Sequence, residues 1–403
     1  MKRDNCLICN SKKMTKILDL GLHPFADTFV NEECQNDIMP VYNLSCVMCE
    51  DCKHIQTESI TDPSDRYNLF DYSYTSSNSN TSRTHWNDFA RYVIQKLNLN
   101  KNSTICEIGS NDGYLLSQFK KYLSNEVLGI DASKSMCNIS RKNNIPARCC
   151  VFDKEQAVSV VNTHGQYNVV VANNVYNHSD DPVSFTEGVR TLLKEDGYFI
   201  FEVPYWKNTI DSRKIDQIYH EHVSYFTVKS LSKLLTMCGF SIEEISVVDY
   251  HGGSLRVVAK HNTDGTQCSS AKEMIKNEEY LFSQDVYKSV SNELQNRKIK
   301  FLSTILDYKI NGYEIIGIGA AAKGNTLLNF LSLNDTIVDY ITDTSEHKQN
   351  KKTPLSNIDI FGDDKIKSSN KVCAIILSWN LSDVIKNKIK ELNPQIEYVN
   401  FYE

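Results

Sequence analysis

Ile105-Cys106-Glu107-Ile108-Gly109-Ser110-Asn111-Asp112-Gly113-Tyr114-Leu115-Leu116 reads as a β-strand, a tight turn and the opening of a helix. Thr104, Ile105 and Ile108 bring β-branched character to the strand. Gly109 and Gly113 flank the turn and let backbone approach a ligand with no Cβ in the way. Leu115, Leu116 and Phe119 follow as helix signals. A turn of this kind belongs to a parallel α/β sheet, where a ligand lies beyond the carboxyl ends of the strands.

The spacing is Glu-x-Gly-x-Asn-Asp-Gly. A dinucleotide loop would more often place glycine at the Asn111 position, and the Gly-Lys-Ser/Thr of a P-loop is absent. An acid opening the loop suits a cation better than a phosphate. Val127-Leu128-Gly129-Ile130-Asp131 is a second strand ending in an acid, which can accept both hydroxyls of a ribose. Acids at both places, with no phosphate partner, favour S-adenosylmethionine. The pattern resembles the first motif of class I methyltransferases. Glu107, Gly109, Asn111, Gly113 and Asp131 are therefore the expected cofactor-binding residues.

The chain has 403 residues, enough for two or three domains with real cores. Hydrophobic residues make up 41%, and no run approaches a membrane span, so no membrane partner is expected. A net charge of -6 gives no electrostatic case for nucleic acid. Thirteen cysteines with no secretory signal ahead of Cys6 imply a cytoplasmic protein with reduced thiols. Clustered cysteines then suggest metal and scattered ones core.

Cys6-x2-Cys9 opens the N-terminal region, and Cys46, Cys49 and Cys52 follow. Two Cys-x2-Cys knuckles give the four thiolates that structural zinc prefers, with no position left open for catalysis. The second knuckle is either 46/49 or 49/52. Tyr67 to Ser77 is rich in aromatics and hydroxyls and reads as a surface loop or a loop lining a site. Val169 to Val175 reads as a strand buried on both faces, ending in Asn173 and Asn174, with His178 four residues on. Val189 to Leu193 followed by Lys194 to Gly197 reads as a helix end with a glycine stop. Tyr198 to Pro204 is the next strand. Val247 to Asp249 and Ser254 to Ala259 close the sheet around His251-Gly252-Gly253.

Phe282, Val286, Val290 and Leu294 recur every four residues and predict a connecting helix with a core-facing stripe. A second strand, small-residue turn and helix start comes at Ile315 to Gly324, and Ile337 to Asp343 again ends in an acid. With Cys373 to Trp379 as a third strand, the order suggests an internal duplication. Lys323 at the end of the second loop could meet a phosphate or stay solvated. The expected fold is α/β: an N-terminal zinc-binding domain (1–75), a class I Rossmann-like methyltransferase domain (76–262), and a second Rossmann-like C-terminal domain with its connecting helix (263–403).

Tyr219-His220-Glu221-His222 puts four titratable groups in consecutive positions, which a core segment does not normally do because burying them unpaired is costly. The histidines are two apart, so the His-Glu-x-x-His zinc pattern does not fit. A methyl acceptor that is oxygen or nitrogen already has a lone pair. A carbon acceptor must first become a carbanion, which is feasible beside a ketone if a base removes the α-proton and donors hold the enolate oxygen. His is the side chain whose pKa suits the base.

Taken together, the chain resembles the zinc-containing sugar C-methyltransferases, which methylate nucleotide-linked 4-keto-6-deoxysugars, commonly at C-3. The likeness runs through Cys6-x2-Cys9, Cys49-x2-Cys52 with Gln56, Tyr72-Ser-Tyr74-Thr-Ser-Ser77, Glu107 to Gly113, Asn173-Asn174 with His178, Tyr219 to His222, His251-Gly-Gly-Ser-Leu-Arg256 and Gly319 to Leu328. The resemblance implies zinc on Cys6, Cys9, Cys49 and Cys52. It implies His222 as the base, with Tyr219, Glu221 and His178 around the keto sugar, and Tyr74 closing the site. Tyr72 and Asn173 would join the cofactor site, and His251 and Lys323 the substrate site. The methyl donor would not occupy the C-terminal loop, which serves the substrate's nucleotide or packing alone. This chain has Lys348-Gln349-Asn350 and Pro354-Leu355 where the family has Lys-x-Gly and Pro-Gly. The partner implied is a nucleotide-linked sugar, and the protein is expected as a monomer or small homo-oligomer. The rival readings are an O-methyltransferase on a sugar or polysaccharide precursor, a nicotinamide-dependent enzyme using Gly317 to Gly324, and a binding protein without turnover.

Overall fold

The computed structural model describes residues 2–34, 38–62, 65–66, 75–77, 79–123, 126–261, 265–368 and 371–403. Tyr72 and Tyr74 lie outside the described residues. Three sheets organise the chain. In the first, β1 (Met14–His23), β2 (Tyr42–Cys49) and β3 (Ile55–Thr57) form an antiparallel meander, with Met14 opposite Cys49 and Cys46 opposite Thr57.

The second sheet begins with β4 (Ile105–Ile108), β5 (Val127–Asp131), β6 (Ala147–Cys149), β7 (Tyr167–Val171) and β8 (Leu193–Pro204), all parallel. After β8 the chain leaves for a two-residue strand, β9 (Ser224–Tyr225), which pairs with β3 and completes the first sheet. It returns as β10 (Phe240–Val248) and β11 (Ser254–His261), giving the order β10-β11-β8-β7-β4-β5-β6 with β11 alone reversed. Strand order turns at β4, whose neighbours are β5 and β7. That leaves a crevice beyond its carboxyl end, where the 109–113 loop lies.

Lys194 to Gly197 does not close a helix. The helix Pro182–Leu192 ends as Leu193 becomes extended and pairs with Tyr167, and the next residues already belong to β8. The pull of a strand partner outweighs the local helix-stop signal at Gly197.

The third sheet holds β12 (Glu314–Ile318), β13 (Tyr340–Thr342), β14 (Ile360–Phe361), β15 (Val372–Ile376) and β16 (Glu397–Val399), all parallel, in the order β14-β13-β12-β15-β16. Strand order turns at β12, as it does at β4. The helix Gln284–Ile310 buries Tyr287, Val290, Leu294, Phe301 and Ile305 on one stripe. Each such burial contributes about 1.5–3 kcal/mol. Tyr287 Oη also accepts the indole N–H of Trp206 at 3.0 Å, so this helix ties the last unit to the second. Among the described residues no helix is long and apolar enough to cross a membrane.

Candidate active site

The thiols of Cys6, Cys9, Cys49 and Cys52 all lie within 4.8 Å of one another. Cys6 and Cys52 Sγ are 3.4 Å apart, and Cys9 and Cys49 Sγ 3.5 Å. A zinc–sulfur bond of about 2.3 Å gives a tetrahedron with edges of about 3.8 Å, so the set fits zinc. Cys46 is not in the cluster. It sits in β2 with its side chain fully buried, and burial raises its thiol pKa. The choice between the two knuckles thus falls to 49/52.

At the β4 loop, Gly109 and Asn111 take positive φ of 73° and 50°, and Gly113 79°. A Cβ on Gly109 would lie 2.7 Å from Val175, and one on Gly113 2.6 Å from Ser140 Oγ. Packing against protein, as well as turn geometry, therefore requires these glycines. Asp131 holds the loop: its carboxylate accepts the N–H groups of Asn111 and Ser133, each at 2.8 Å. Above the loop, Ser76 N–H donates to Asn111 Oδ1 at 2.9 Å, and Ser77 donates twice to Asp112. The described end of the aromatic passage thus lies against the loop.

Glu107 is buried, and its Oε2 has no hydrogen-bond partner. Burial, then the charges of Asp112 and Asp131, holds its pKa well above the usual carboxylate value. Asp131 is also raised by burial. Acids crowded in this way fit a cationic ligand, which would relieve their repulsion. Asn173 accepts Glu202 N–H at 2.8 Å and keeps an unpartnered, buried Nδ2. These residues fit S-adenosylmethionine, whose sulfonium and ammonium are cations.

Four residues beyond Asn174, the short helix Tyr176–His178 carries His178 to the same rim. Its ring meets that of His222 edge-on at 4.9 Å between centroids, and Tyr219 covers His222 at 3.9 Å. Val223 N–H donates to Asn177 O at 2.9 Å, pinning the two segments together. His222 is buried, and its Nδ1 lies 2.9 Å from Gln217 O. A carbonyl only accepts, so Nδ1 carries the proton and Nε2 is left as an acceptor. Burial drives the His222 pKa well below its ordinary value, and His178, Lys323 and His251 push the same way against the Gln217 carbonyl. Burial and the nearby Arg66 lower His178 to about 3. Both rings are neutral at pH 7.

Glu221 is buried, and its Oε2 has no hydrogen-bond partner. Its Oε1 accepts the N–H groups of Ala26 and Asp27 at 3.0 and 3.1 Å, clasping the N-terminal unit. Burial raises its pKa to about 7. His220 also faces that unit, packing edge-on against Phe25 and Tyr42. Lys323, from the start of the helix Ala322–Leu331, brings its Nζ to 3.5 Å from His251 O, and burial lowers its pKa to about 8. His251 has a positive φ of 53° and is itself pushed well down by burial, then by Lys323 and His85.

Several groups here carried no sequence signal. His85 stacks on Tyr250 at 3.8 Å and pairs with Glu202 at 2.7 Å, and Glu202 also binds Arg256. Arg66 and Arg3 both pair with Asp180, and Arg66 also donates to His178 O at 3.3 Å. These partners lie up to 177 residues apart, so only folding brings them together.

Three family models match the chain. They describe a zinc binding domain (residues 6–67), a methyltransferase domain (83–245) and a C-methyltransferase C-terminal domain (249–396). The C-methyltransferase NovU of Streptomyces niveus is 24% identical over 391 residues, covering 96% of this chain and 92% of that protein. A tRNA U34 carboxymethyltransferase of Campylobacter lari is 22% identical over 40% of this chain and 58% of its own length. Among solved structures, magnesium protoporphyrin IX methyltransferase of Synechocystis PCC 6803 matches 45% of this chain and 83% of its own. Its identity is 16% and its TM-score 0.36. A SAM-dependent methyltransferase of Anabaena variabilis matches 46% and 86%, at 18% identity and a TM-score of 0.38. The chain is an S-adenosylmethionine-dependent methyltransferase with a four-cysteine site that fits zinc, and its residues 249–396 match the C-methyltransferase C-terminal domain.

Proposed function

We propose that this enzyme methylates a carbon beside the ketone of a nucleotide-linked deoxysugar. The observation that carries the reading is His222: buried, neutral, and tethered through Nδ1 so that Nε2 is free to accept. In the proposed reaction Nε2 takes the α-proton, and the electrons of the broken C–H bond pass onto the ketone oxygen. The resulting enolate carbon forms the new C–C bond as the methyl–sulfur bond breaks. S-adenosylmethionine, held by the residues of the 107–113 loop and Asp131, would supply the methyl group and would be left as a neutral thioether. A positioned base is worth on the order of 10² to 10⁴-fold, and a donor on the enolate oxygen about 10² to 10³-fold. Tyr219 and His178 flank His222, and Lys323 places a cation in the same neighbourhood.

The support for a nucleotide is the second glycine loop. Asp343 latches it, and Lys323 and Lys348 border it, with Lys348 Nζ donating to Ala320 O at 2.6 Å. We read its domains as 1–75, 76–262 and 263–403, working as one cytoplasmic enzyme. The test is deuterium wash-out from the α-carbon across a panel of nucleotide 4-keto-6-deoxysugars, with methyl transfer followed by mass spectrometry. Exchange that depends on His222, and methyl on carbon, is the expected result. Methyl on oxygen with no exchange would replace this reading by O-methylation.

A further inference from the structure

We propose that Trp379, in the C-terminal unit, is a positioning residue for His222. The inference rests on the reading of His222 as the base. Trp379 starts the short helix Trp379–Leu381 just beyond β15. Its indole N–H donates to Asp216 Oδ2. Asp216 is fully buried, its Oδ1 has no partner, and its own N–H donates to Tyr402 Oη at 3.3 Å. The next residue is Gln217, whose carbonyl receives His222 Nδ1. The indole is thus one hydrogen bond and one residue away from the tether that sets the base's tautomer.

The same ring also holds the opposite wall. A Cβ on Gly252 would lie 2.7 Å from Trp379 Cη2 and 3.0 Å from Gln217 Nε2, so the residue after His251 closes directly on both. Lys214 Nζ lies 3.8 Å and Lys323 Nζ 5.2 Å from the ring centroid, so both cations that bear on Asp216 or His222 rest on this indole. Buried Asp216 needs donors for its carboxylate, and the C-terminal unit supplies the Tyr402 hydroxyl and, bonded directly to Oδ2, the Trp379 indole. Without it the 215–217 segment can relax toward solvent and carry the Gln217 carbonyl with it. A shift of that carbonyl by about 1 Å would release the imidazole to either tautomer, and misplacement on that scale costs on the order of 10²-fold in rate.

The test follows the imidazole itself. Nitrogen-15 NMR of histidine-labelled enzyme, assigned with His222→Asn, reads the tautomer without substrate. Wild type should show a single Nδ1–H form. Trp379→Phe, which keeps a ring and loses the donor, should show a mixture, with wash-out and methyl transfer reduced about tenfold or more. The KM for S-adenosylmethionine should stay within about twofold, because the indole's contacts with Asp216, Gly252, Lys214, Lys323 and Tyr402 include no residue of the 107–113 loop that would bind it. Asp216→Ala should behave like Trp379→Phe, and Asp216→Asn, which keeps an acceptor, should retain the wild-type tautomer. Trp379→Phe with a single tautomer and unchanged rates would overturn the proposal. If that variant does not fold, equal behaviour of Asp216→Ala and Asp216→Asn would overturn it. Full activity in His222→Asn would sink the base assignment whatever Trp379 does. A neutral Trp379→Phe beside an inactive His222→Asn would sink this inference alone.

Discussion

Asp131 and Asp343 occupy equivalent places in two different sheets. Asp131 accepts the loop N–H of Asn111 at 2.8 Å and the N–H of Ser133, two residues on. Asp343 accepts the loop N–H of Ala320 at 2.7 Å and the N–H of Ser345, also two residues on. In each unit the loop's first glycine donates to the residue just before the acid, Gly109 to Ile130 and Gly319 to Thr342. The duplication suggested by the strand order is therefore repeated in the hydrogen bonds.

The two latches separate two ligands. Asp131→Ala leaves two backbone N–H groups without acceptors, at about 1–3 kcal/mol each. It is expected to weaken S-adenosylmethionine binding by more than about tenfold, measured by calorimetry. Asp343→Ala should leave that affinity within about twofold and weaken a nucleoside diphosphate instead. The reverse pattern would exchange the roles of the two loops.

Cofactor binding should depend on pH. Glu107 sits well above its ordinary pKa through burial and the charges of Asp112 and Asp131. A cation favours the ionised acid, so S-adenosylmethionine should bind more weakly as pH falls, by about tenfold per unit once one proton must be displaced. S-adenosylhomocysteine lacks the sulfonium charge and should lose less. Parallel calorimetric curves for the two ligands would mean that the sulfonium does not feel these acids.

Zinc content distinguishes Cys46 from the cluster. Cys52→Ser should lower bound zinc below one per chain and lower the melting temperature, because the site closes the Cys6–Cys9 turn onto β2. Cys46→Ala should keep about one zinc while costing about 1 kcal/mol from lost packing. Metal analysis beside a melting curve checks both.

Glu221 gives stability a pH dependence of definite sign. Its folded pKa is raised from 4.5 to about 7, chiefly by burial. Its contribution is therefore fully present below 4.5 and is lost as pH rises through about 7. Glu221→Gln keeps an oxygen for Ala26 and Asp27 and removes the titration. Its denaturation midpoint should fall less than wild type's between pH 5 and 8. Parallel curves would show that Glu221 is not the group responsible.

Leu355 stands at φ 64°, at the position where the resembled family has glycine, and Asn350 stands at φ 62° at the other such position. Asn tolerates this region and Leu does not. Leu355 is 51% exposed, so it recovers little by burial. Leu355→Gly should raise stability by about 0.5–1 kcal/mol, from relieved strain less glycine's entropy cost. A loss of stability on denaturant titration would show that Leu355 contributes packing that outweighs the strain.

Elements written in local pattern were legible. The glycine loop with its acids, the first Cys-x2-Cys knuckle and the second glycine loop follow from spacing and side-chain type, and so does half of the helical stripe: Val290 and Leu294 are buried, while Phe282 precedes the helix and Tyr287 is buried in place of Val286. Such features depend on residues a few positions apart, and the sequence displays those directly. Gly197 shows the limit of that logic, since a stop signal yielded to a strand partner at Tyr167.

The remaining features depended on contacts between distant residues. Sequence could put Glu221 in a reactive-looking run, but only the tertiary structure turned its carboxylate onto Ala26 and Asp27. Only the fold buried His222 against His178 and gave its Nδ1 a carbonyl, and only the fold set Trp379 on Asp216. A side chain's type is fixed by the sequence. Its tautomer, pKa and partners come from the field and the desolvation of its surroundings, and these exist only once segments more than a hundred residues apart have packed.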